Sequence, residues 1–227
     1  MKRLWGSFAF CVRAVVMLTA LQVLASCASN SARLQTVYYP SGAKEEAGLA
    51  VGGDSAIGGP GGMLGSRVGR WTAWYEDGVK KWEGDYLHSL RGGLRTGLWV
   101  YWHPNGVVAA TGLYDHDYLD GVWFFTAKSG KEVARCDFSK GSGRYVENHV
   151  GGGKKMEGQF DRNMPNGTWT LWWPNGQKQA EGTCRSGSED GLWTFWTDRG
   201  EFSRETLFDW KRTGPGSGIP RASHIAE

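Results

Sequence analysis

The stretch "LWWPNGQKQAEG" at residues 171–182 repeats, with few changes, the stretch "VYWHPNGVVAATG" at 100–112. In both stretches an Asn-Gly pair separates two apolar runs, which is the strongest short-range sequence signal of a β-hairpin. The pair predicts a two-residue type I′ turn, because that turn requires positive φ at both central residues. Two similar hairpins in one chain indicate an internal repeat.

The extent of the repeat becomes clear when the tryptophans are aligned. An anchor tryptophan, preceded two residues earlier by glycine, occurs five times, and Tyr145 behind Gly143 divides the gap of 46 residues between Trp123 and Trp169. The six anchors are Trp71, Trp99, Trp123, Tyr145, Trp169 and Trp193. Seven residues after each anchor stands a glycine that closes the predicted turn. The spacing predicts six hairpins in tandem and an all-β fold.

One face of each hairpin is predicted to be packed. We count positions from the anchor, which is position zero. With a two-residue turn, the position numbers of two cross-strand partners sum to thirteen. The anchor therefore faces the glycine at position thirteen, and its ring can lie over that glycine. At positions two and eleven a large residue faces a small one, as Tyr101 faces Ala110 and Phe125 faces Ala134. Complementary sizes of this kind are typical of a core.

The opposite face carries the candidate binding residues. Threonine at position one faces glutamate at position twelve in several units, which suits water, but position three carries a tryptophan in four units. These residues are Trp74, Trp102, Trp172 and Trp196, with Lys81 or Gln179 as expected cross-strand partners. Two interpretations remain open: the rings are packed under the linker, the tail or a curled sheet, or they form a recognition face for a protein or a glycan.

The composition divides the chain into four segments. Residues 1–26 are predicted to be a signal peptide, 27–68 a degenerate first unit with a Gly-rich linker, 69–209 the repeat array, and 210–227 a disordered tail. The degenerate unit is placed by Gly42 and Gly48, which stand at the repeat positions counted from Gln35.

The first 26 residues are typical of an export signal, with three basic side chains, no acidic one and an apolar stretch at 14–25. The sequence "LASC" at 24–27 resembles the lipobox of bacterial lipoproteins, which implies lipid attachment at Cys27 and a place in the cell envelope, at the outer membrane if the host is Gram-negative. An ordinary cleaved signal peptide and an uncleaved anchor are the alternatives.

The net charge argues against a nucleic-acid partner. The chain has 26 basic and 23 acidic residues, and removal of residues 1–26 leaves 23 of each. Nucleic-acid binding needs a basic face that displaces phosphate counterions, so we expect none.

The pattern G-x-W-x-x-W-x-x-x-G followed by E-G-x-Y resembles MORN-type repeats, and more closely the bacterial variant found in YwqK-like, antitoxin-labelled proteins. It covers residues 69–209, about 60% of the chain. The resemblance implies successive antiparallel hairpins in one elongated sheet that acts by contact with proteins or membranes rather than by catalysis. Thr126, Cys136, Tyr145 and Asn148 depart from the pattern and predict an interruption in the middle of the array.

No motif predicts chemistry at a site. The five histidines show none of the short spacings that a metal site favours, and the glutamates repeated at position twelve are more typical of architecture than of catalysis. Four strand spacings of about 4.8 Å separate Cys136 from Cys184 by roughly 19 Å, beyond the limit of about 7 Å for a disulfide. We therefore expect two unpaired thiols, no metal, no cofactor and no enzyme activity.

The sequence thus favours a non-enzymatic envelope lipoprotein whose repeat sheet binds a protein. A narrower hypothesis is an antitoxin or immunity role against a toxin that enters the envelope. The alternative is a cell-wall glycan binder that uses the outer tryptophans.

Overall fold

The computed structural model describes residues 32–52, 65–89, 92–209 and 211. They form one antiparallel sheet of 14 strands in which spatial order follows chain order. The strands are β1 (Arg33–Tyr38), β2 (Lys44–Val51), β3 (Ser66–Trp74), β4 (Lys80–Leu87), β5 (Leu94–Trp102), β6 (Val108–Asp115), β7 (Tyr118–Thr126), β8 (Glu132–Phe138), β9 (Gly143–Asn148), β10 (Lys154–Asp161), β11 (Met164–Trp172), β12 (Lys178–Arg185), β13 (Ser188–Trp196) and β14 (Phe202–Phe208). The predicted fold class, an all-β sheet of tandem hairpins, is confirmed.

The first hairpin, β1–β2, is part of the same sheet. Gln35 faces Gly48 in it, and β2 pairs directly with β3, so the sheet is continuous although the Gly-rich segment lies between these two strands in sequence. The predicted signal segment 1–26, Cys27, most of the Gly-rich linker and the predicted tail 210–227, except residue 211, lie outside the described residues.

The predicted register holds along most of each hairpin. In β3–β4, Trp71 faces Gly84 and Ala73 faces Trp82, as expected for partners whose positions sum to thirteen. Beyond that point the pairing shifts by one residue, and Trp74 faces Lys80.

The expected partners Lys81 and Gln179 were therefore wrong. Trp172 faces Lys178 in the same way. Lys81 and Gln179 are the extra residues of β-bulges, and the bulge turns the lysine before each of them towards the tryptophan face.

The cause of the shift is the turn, which is not of type I′. Gly106 has φ +79°, but Asn105 before it does not have positive φ. The Gly106 N–H donates to His103 O at 2.8 Å and the His103 N–H to Val107 O at 2.8 Å. This is a three-residue loop, a type I turn followed by glycine in the left-handed region. Only the glycine needs positive φ, so the asparagine side chain is free for another role.

That role is to link neighbouring turns. Asn105 Oδ1 accepts a hydrogen bond from the Val107 N–H, and Asn105 Nδ2 donates to Lys128 O in the next turn at 2.8 Å. Asn175 donates to Asp198 O at 2.6 Å in the same manner. Type I′ turns do occur, but between hairpins at the opposite end of the sheet, for example at His116 and Asp117 with φ of 50° and 69°.

The core consists of anchor rings that lie over glycines of the preceding hairpin. A Cβ atom added to Gly84 would stand 2.2 Å from the ring of Trp99, and one added to Gly182 would stand 2.2 Å from the ring of Trp193. Our sequence interpretation placed each ring over the glycine of its own hairpin, which was wrong by one unit. The contact therefore joins hairpins to each other, as a repeat protein requires.

A ladder of aromatic rings continues this packing along the array. Tyr86 stands edge-on between Trp71 and Trp99, with ring centroids 6.5 and 5.1 Å away. Tyr114 occupies the same place between Trp99 and Trp123, at 5.7 and 5.0 Å. Edge-to-face pairs stabilise a structure beyond the area that they bury. We call this the inner face.

Hydrogen bonds from position four also join the hairpins. The side chain there bonds to the carbonyl oxygen at position three of the next hairpin, at 2.8 to 3.2 Å. The pairs are Tyr39 with Trp74, Tyr75 with Trp102, His103 with Thr126, His149 with Trp172 and Trp173 with Trp196. Two of the five histidines therefore have a structural role.

The junction between β8 and β9 is the weakest in the sheet. Ala134 opposite Glu147 is the one residue pair between the two strands, with an isolated bridge from Ser139 to Ser142 just beyond their ends, and Ala127 at position four has no side chain that can bond across the junction. Continuing that register brings Cys136, which replaces the usual glycine, opposite Tyr145. The smaller tyrosine ring matches the larger residue beneath it, so the two departures from the repeat compensate for each other.

Candidate interaction surface

The four predicted binding residues lie on one face of the sheet, which we call the outer face. Trp74, Trp102, Trp172 and Trp196 are each half-buried. Trp74 and Trp102 stand on β3 and β5, and the other two stand on β11 and β13, so the stripe forms two pairs, as the sequence predicts.

Each outer tryptophan is covered by a lysine of the preceding hairpin. Lys80 Nζ lies 5.4 Å from the ring centroid of Trp102, and Lys154 Nζ lies 5.2 Å from that of Trp172. Lys44 on Trp74 and Lys178 on Trp196 complete the set at 5.9 and 5.8 Å. A cation over an indole is attracted by the negative face of the ring. The rings are thus covered by this repeated contact and not left bare.

The same lysines neutralise the repeated glutamates. Lys80 pairs with Glu83 at 2.7 Å and Lys178 with Glu181 at 2.7 Å. Partial burial alone would raise the pKa of Glu83, but hydrogen bonds from Lys80 and Arg70 outweigh it and lower that pKa. The hydrogen bond from Lys178 is the main cause of the lowered pKa of Glu181.

Lysine and tryptophan disappear together in the middle of the array. Thr126 stands where the outer tryptophan of β7 would be, and Val108 then replaces the lysine of the preceding hairpin. Asn148 on β9 likewise stands where an outer tryptophan would be, and Glu132 replaces the lysine of the hairpin before it. The lysine at position nine and the tryptophan at position three of the next hairpin are therefore present together or absent together.

An apolar patch lies on the outer face of β5, β6 and β7, with Thr111 between Val100 and Phe124 on the middle strand. Val100 and Phe124 replace the threonine usual at position one, and Leu98 faces Leu113 across β5 and β6. The members of this β5–β7 patch are Leu98, Val100, Trp102, Val108, Leu113, Val122 and Phe124. Leu98 is 53% exposed, Leu113 44% and Val122 43%. Exposed apolar surface of this kind is typical of interaction sites.

The charges around the patch are mixed. Asp120 faces Leu113 and Asp137 faces Val122. Arg135 lies over the Phe124 ring at 4.5 Å and also bonds to Glu132 at 3.1 Å. An apolar centre with a polar rim is the usual arrangement of a protein interface.

The two thiols of the repeat array are buried and unpaired, as predicted. Burial raises the pKa of Cys136 to about 11 and that of Cys184 to about 12. Both side chains are therefore protonated near neutral pH and act as small core residues.

The described part of the chain holds neither a candidate metal site nor a candidate membrane-spanning helix. No group of three or more His, Cys, Asp or Glu side chains there could hold a metal ion. Nor does any helix in residues 32–52, 65–89, 92–209 and 211 have the length and apolarity needed to span a membrane.

The sequence located the outer tryptophans but missed the lysines and the apolar patch. Both features could have been recognised from the residues at particular positions of the repeat. Lysine recurs at position nine in Lys44, Lys80, Lys154 and Lys178, always one hairpin before an outer tryptophan. The patch is marked by Val100 and Phe124 in place of threonine.

Two stretches of the chain, 95–116 and 165–183, match the family model described as MORN repeat variant. No curated protein is similar to the chain. One solved structure, described as a protein with unknown function from Bacteroides fragilis NCTC 9343, is 7% identical with a TM-score of 0.14, and the match covers 79% of this chain and 94% of that one. A TM-score so low supports no conclusion about either chain. The two stretches that match the family model are thus similar to MORN-type repeats, and both lie within the single hairpin sheet.

Proposed function

We propose that the chain is a non-enzymatic scaffold whose outer face binds a partner protein, with the β5–β7 patch at the centre of the contact. The observation that carries this proposal is that aliphatic side chains replace polar ones on three neighbouring strands and stay exposed. Residues that break a structural pattern at a cost in solubility are most often retained for function.

The outer tryptophans contribute to the rim of the proposed contact. Trp102 belongs to the patch, whereas Trp74, Trp172 and Trp196 lie further along the same face. Their rings carry lysine ammonium groups, and this favours a protein partner over a glycan, because a sugar would have to displace the lysine before stacking on the indole.

The proposed setting is the bacterial cell envelope, through lipid attachment at Cys27. This part of the proposal rests on the sequence pattern at 24–27. An antitoxin or immunity role against a toxin entering the envelope is a narrower form of the same proposal, because it also requires a surface that binds one protein.

The proposal is tested by affinity capture from cell-envelope extracts with a patch variant, Leu98→Ser/Leu113→Ser/Val122→Ser. The matched control is Val150→Ser/Met164→Ser, which removes exposed apolar side chains from a turn and from the start of β11, outside the patch. Burying half of each aliphatic side chain contributes about 1 kcal/mol, so the patch variant should bind roughly a hundredfold more weakly.

The expected result is one enriched protein that the control retains and the patch variant loses. Equal capture by all three proteins would contradict the proposal. Retention of the wild type on peptidoglycan, without a protein, would favour the glycan alternative.

A further inference from the structure

Among the described residues, β14 is the last strand and forms one edge of the sheet. It pairs with β13 on one side, and within the described residues no strand pairs with its other side. Phe202 and Leu207 on it are 63% and 78% exposed, and the strand contains neither proline nor lysine. An edge of this kind presents unpaired N–H and C=O groups to an incoming strand.

This edge departs from the repeat at two positions. Thr206 stands at position thirteen, where a glycine in most hairpins receives the ring of the next anchor and Cys136 stands in one. Phe202 replaces the lysine that would cover a following outer tryptophan.

A cleft of about 900 Å³ lies beside the same strand, lined by Trp173, Gln179, Phe195 and Arg204 among others. Arg204 stands at position eleven, where three other hairpins have alanine, and its guanidinium lies over the Phe195 ring at 4.4 Å. In the part of the chain that the structure describes, Arg204 has no ion-pair partner. The cleft therefore holds an accessible guanidinium next to an apolar platform, and the acidic residue Asp198 lines another part of it.

We propose that β14 accepts an extended peptide segment of a partner protein as an added antiparallel strand, with an acidic side chain opposite Arg204. Main-chain hydrogen bonds give such a complex its affinity, and side-chain pairs and pockets give it specificity. Opposite charges on facing residues of an antiparallel pair are favourable and like charges are unfavourable. Apolar residues opposite Phe202 and Leu207 would cover the exposed side chains of the edge.

This surface is separate from the β5–β7 patch. The patch variant Leu98→Ser/Leu113→Ser/Val122→Ser should therefore keep the peptide site, and failure of one proposal leaves the other standing.

The test uses two capped synthetic peptides of seven residues, built from alternating valine and threonine. They differ in one residue, glutamate or lysine, at the place that faces Arg204 in the antiparallel register. Each is titrated into the full chain labelled with ¹⁵N, and amide shifts and hydrogen exchange of β14 are followed by NMR. We expect shifts and new protection in β14, with the glutamate peptide binding roughly three- to tenfold more tightly.

The variant Arg204→Glu supplies the matched control, because it should reverse that order and favour the lysine peptide. Several outcomes would overturn the proposal: no change in β14 with either peptide, equal affinity of both peptides for the wild type and the variant, or protection, already in the free chain, of those β14 amides that do not bond to β13. The last outcome would mean that a segment of the chain itself covers the edge.

Discussion

The substitution Gly84→Ala tests the contact that joins the hairpins. An added Cβ would stand 2.2 Å from Cδ2 and Cε2 of Trp99, whereas carbon atoms in contact prefer about 3.5–4.0 Å. The ring must therefore move by about 1.3 Å or more. Trp99 is only 2% exposed and lies among Trp82, Tyr86 and Tyr114, which leaves it little room.

The expected loss in the free energy of unfolding is about 3 kcal/mol. Overpacking alone costs about 1–3 kcal/mol, and complete loss of a buried tryptophan costs about 3–5 kcal/mol. The assay is urea unfolding followed by near-ultraviolet circular dichroism. Gly106→Ala is the control for backbone strain, because Gly106 has φ +79° but open space around it, and it should cost about 1 kcal/mol.

A double-mutant cycle makes the test specific to the ring. Trp99→Phe should cost at least 1 kcal/mol less in the Gly84→Ala background than in the wild type, because the smaller ring relieves the clash. Equal costs in both backgrounds, or a Gly84→Ala variant within 0.5 kcal/mol of the wild type, would refute the packing described above.

Four further predictions concern the thiols, the outer face and the middle of the array. In a variant without the two cysteines of the first 31 residues, Cys136 and Cys184 should not react with a thiol reagent at pH 8 until the protein unfolds, because burial raises their pKa to about 11 and about 12; rapid native-state labelling would contradict this. Lys80→Met keeps the side-chain stem but removes the charge above Trp102 and the ion pair with Glu83, so it should cost about 1 kcal/mol in urea unfolding and shift the Trp102 indole resonance. Because the folded-state pKa of Glu83 is lowered, its stabilisation is present above its ordinary pKa and is lost as the pH falls through the lowered value; Glu83→Gln should therefore weaken the dependence of stability on acid pH, and an unchanged pH profile would count against the ion pair. Amides at the β8–β9 junction should exchange faster than those of β4–β5, since one regular residue pair joins the former; uniform protection along the sheet would show that the junction is not weak.

The fold was predictable because the sequence pattern of one hairpin occurs six times in the chain. Every unit supplies the turn glycine, five of the six supply a tryptophan anchor and four supply a size-matched pair, so one ambiguous unit such as that of Tyr145 could be placed by its neighbours. The register within each hairpin followed from cross-strand size matching, which requires no knowledge of tertiary structure.

What could not be predicted depends on the turn and on contacts between hairpins. An Asn-Gly pair suits both a type I′ turn and a type I turn with a following glycine bulge, and only the second places Lys80 opposite Trp74. The placement of Trp99 over Gly84 of the preceding hairpin needs the offset between hairpins, which a single hairpin does not encode.

The candidate site was predictable only in part for the same reason. Alternation along a strand put Trp102 on the outer face, but the lysine that covers it belongs to the preceding hairpin. The β5–β7 patch likewise arises from three neighbouring strands, and no single strand shows its extent.

Site-specific photocrosslinking in cells tests the central claim, that the outer face of β5–β7 contacts a partner protein. A photoreactive amino acid replaces Leu98 or Leu113 in the patch, or Val150 in a turn as the control, since all three side chains are exposed. Both patch positions should crosslink to the same protein and the control position should not. Crosslinking at Val150 alone, or to unrelated proteins at the two patch positions, would contradict the claim.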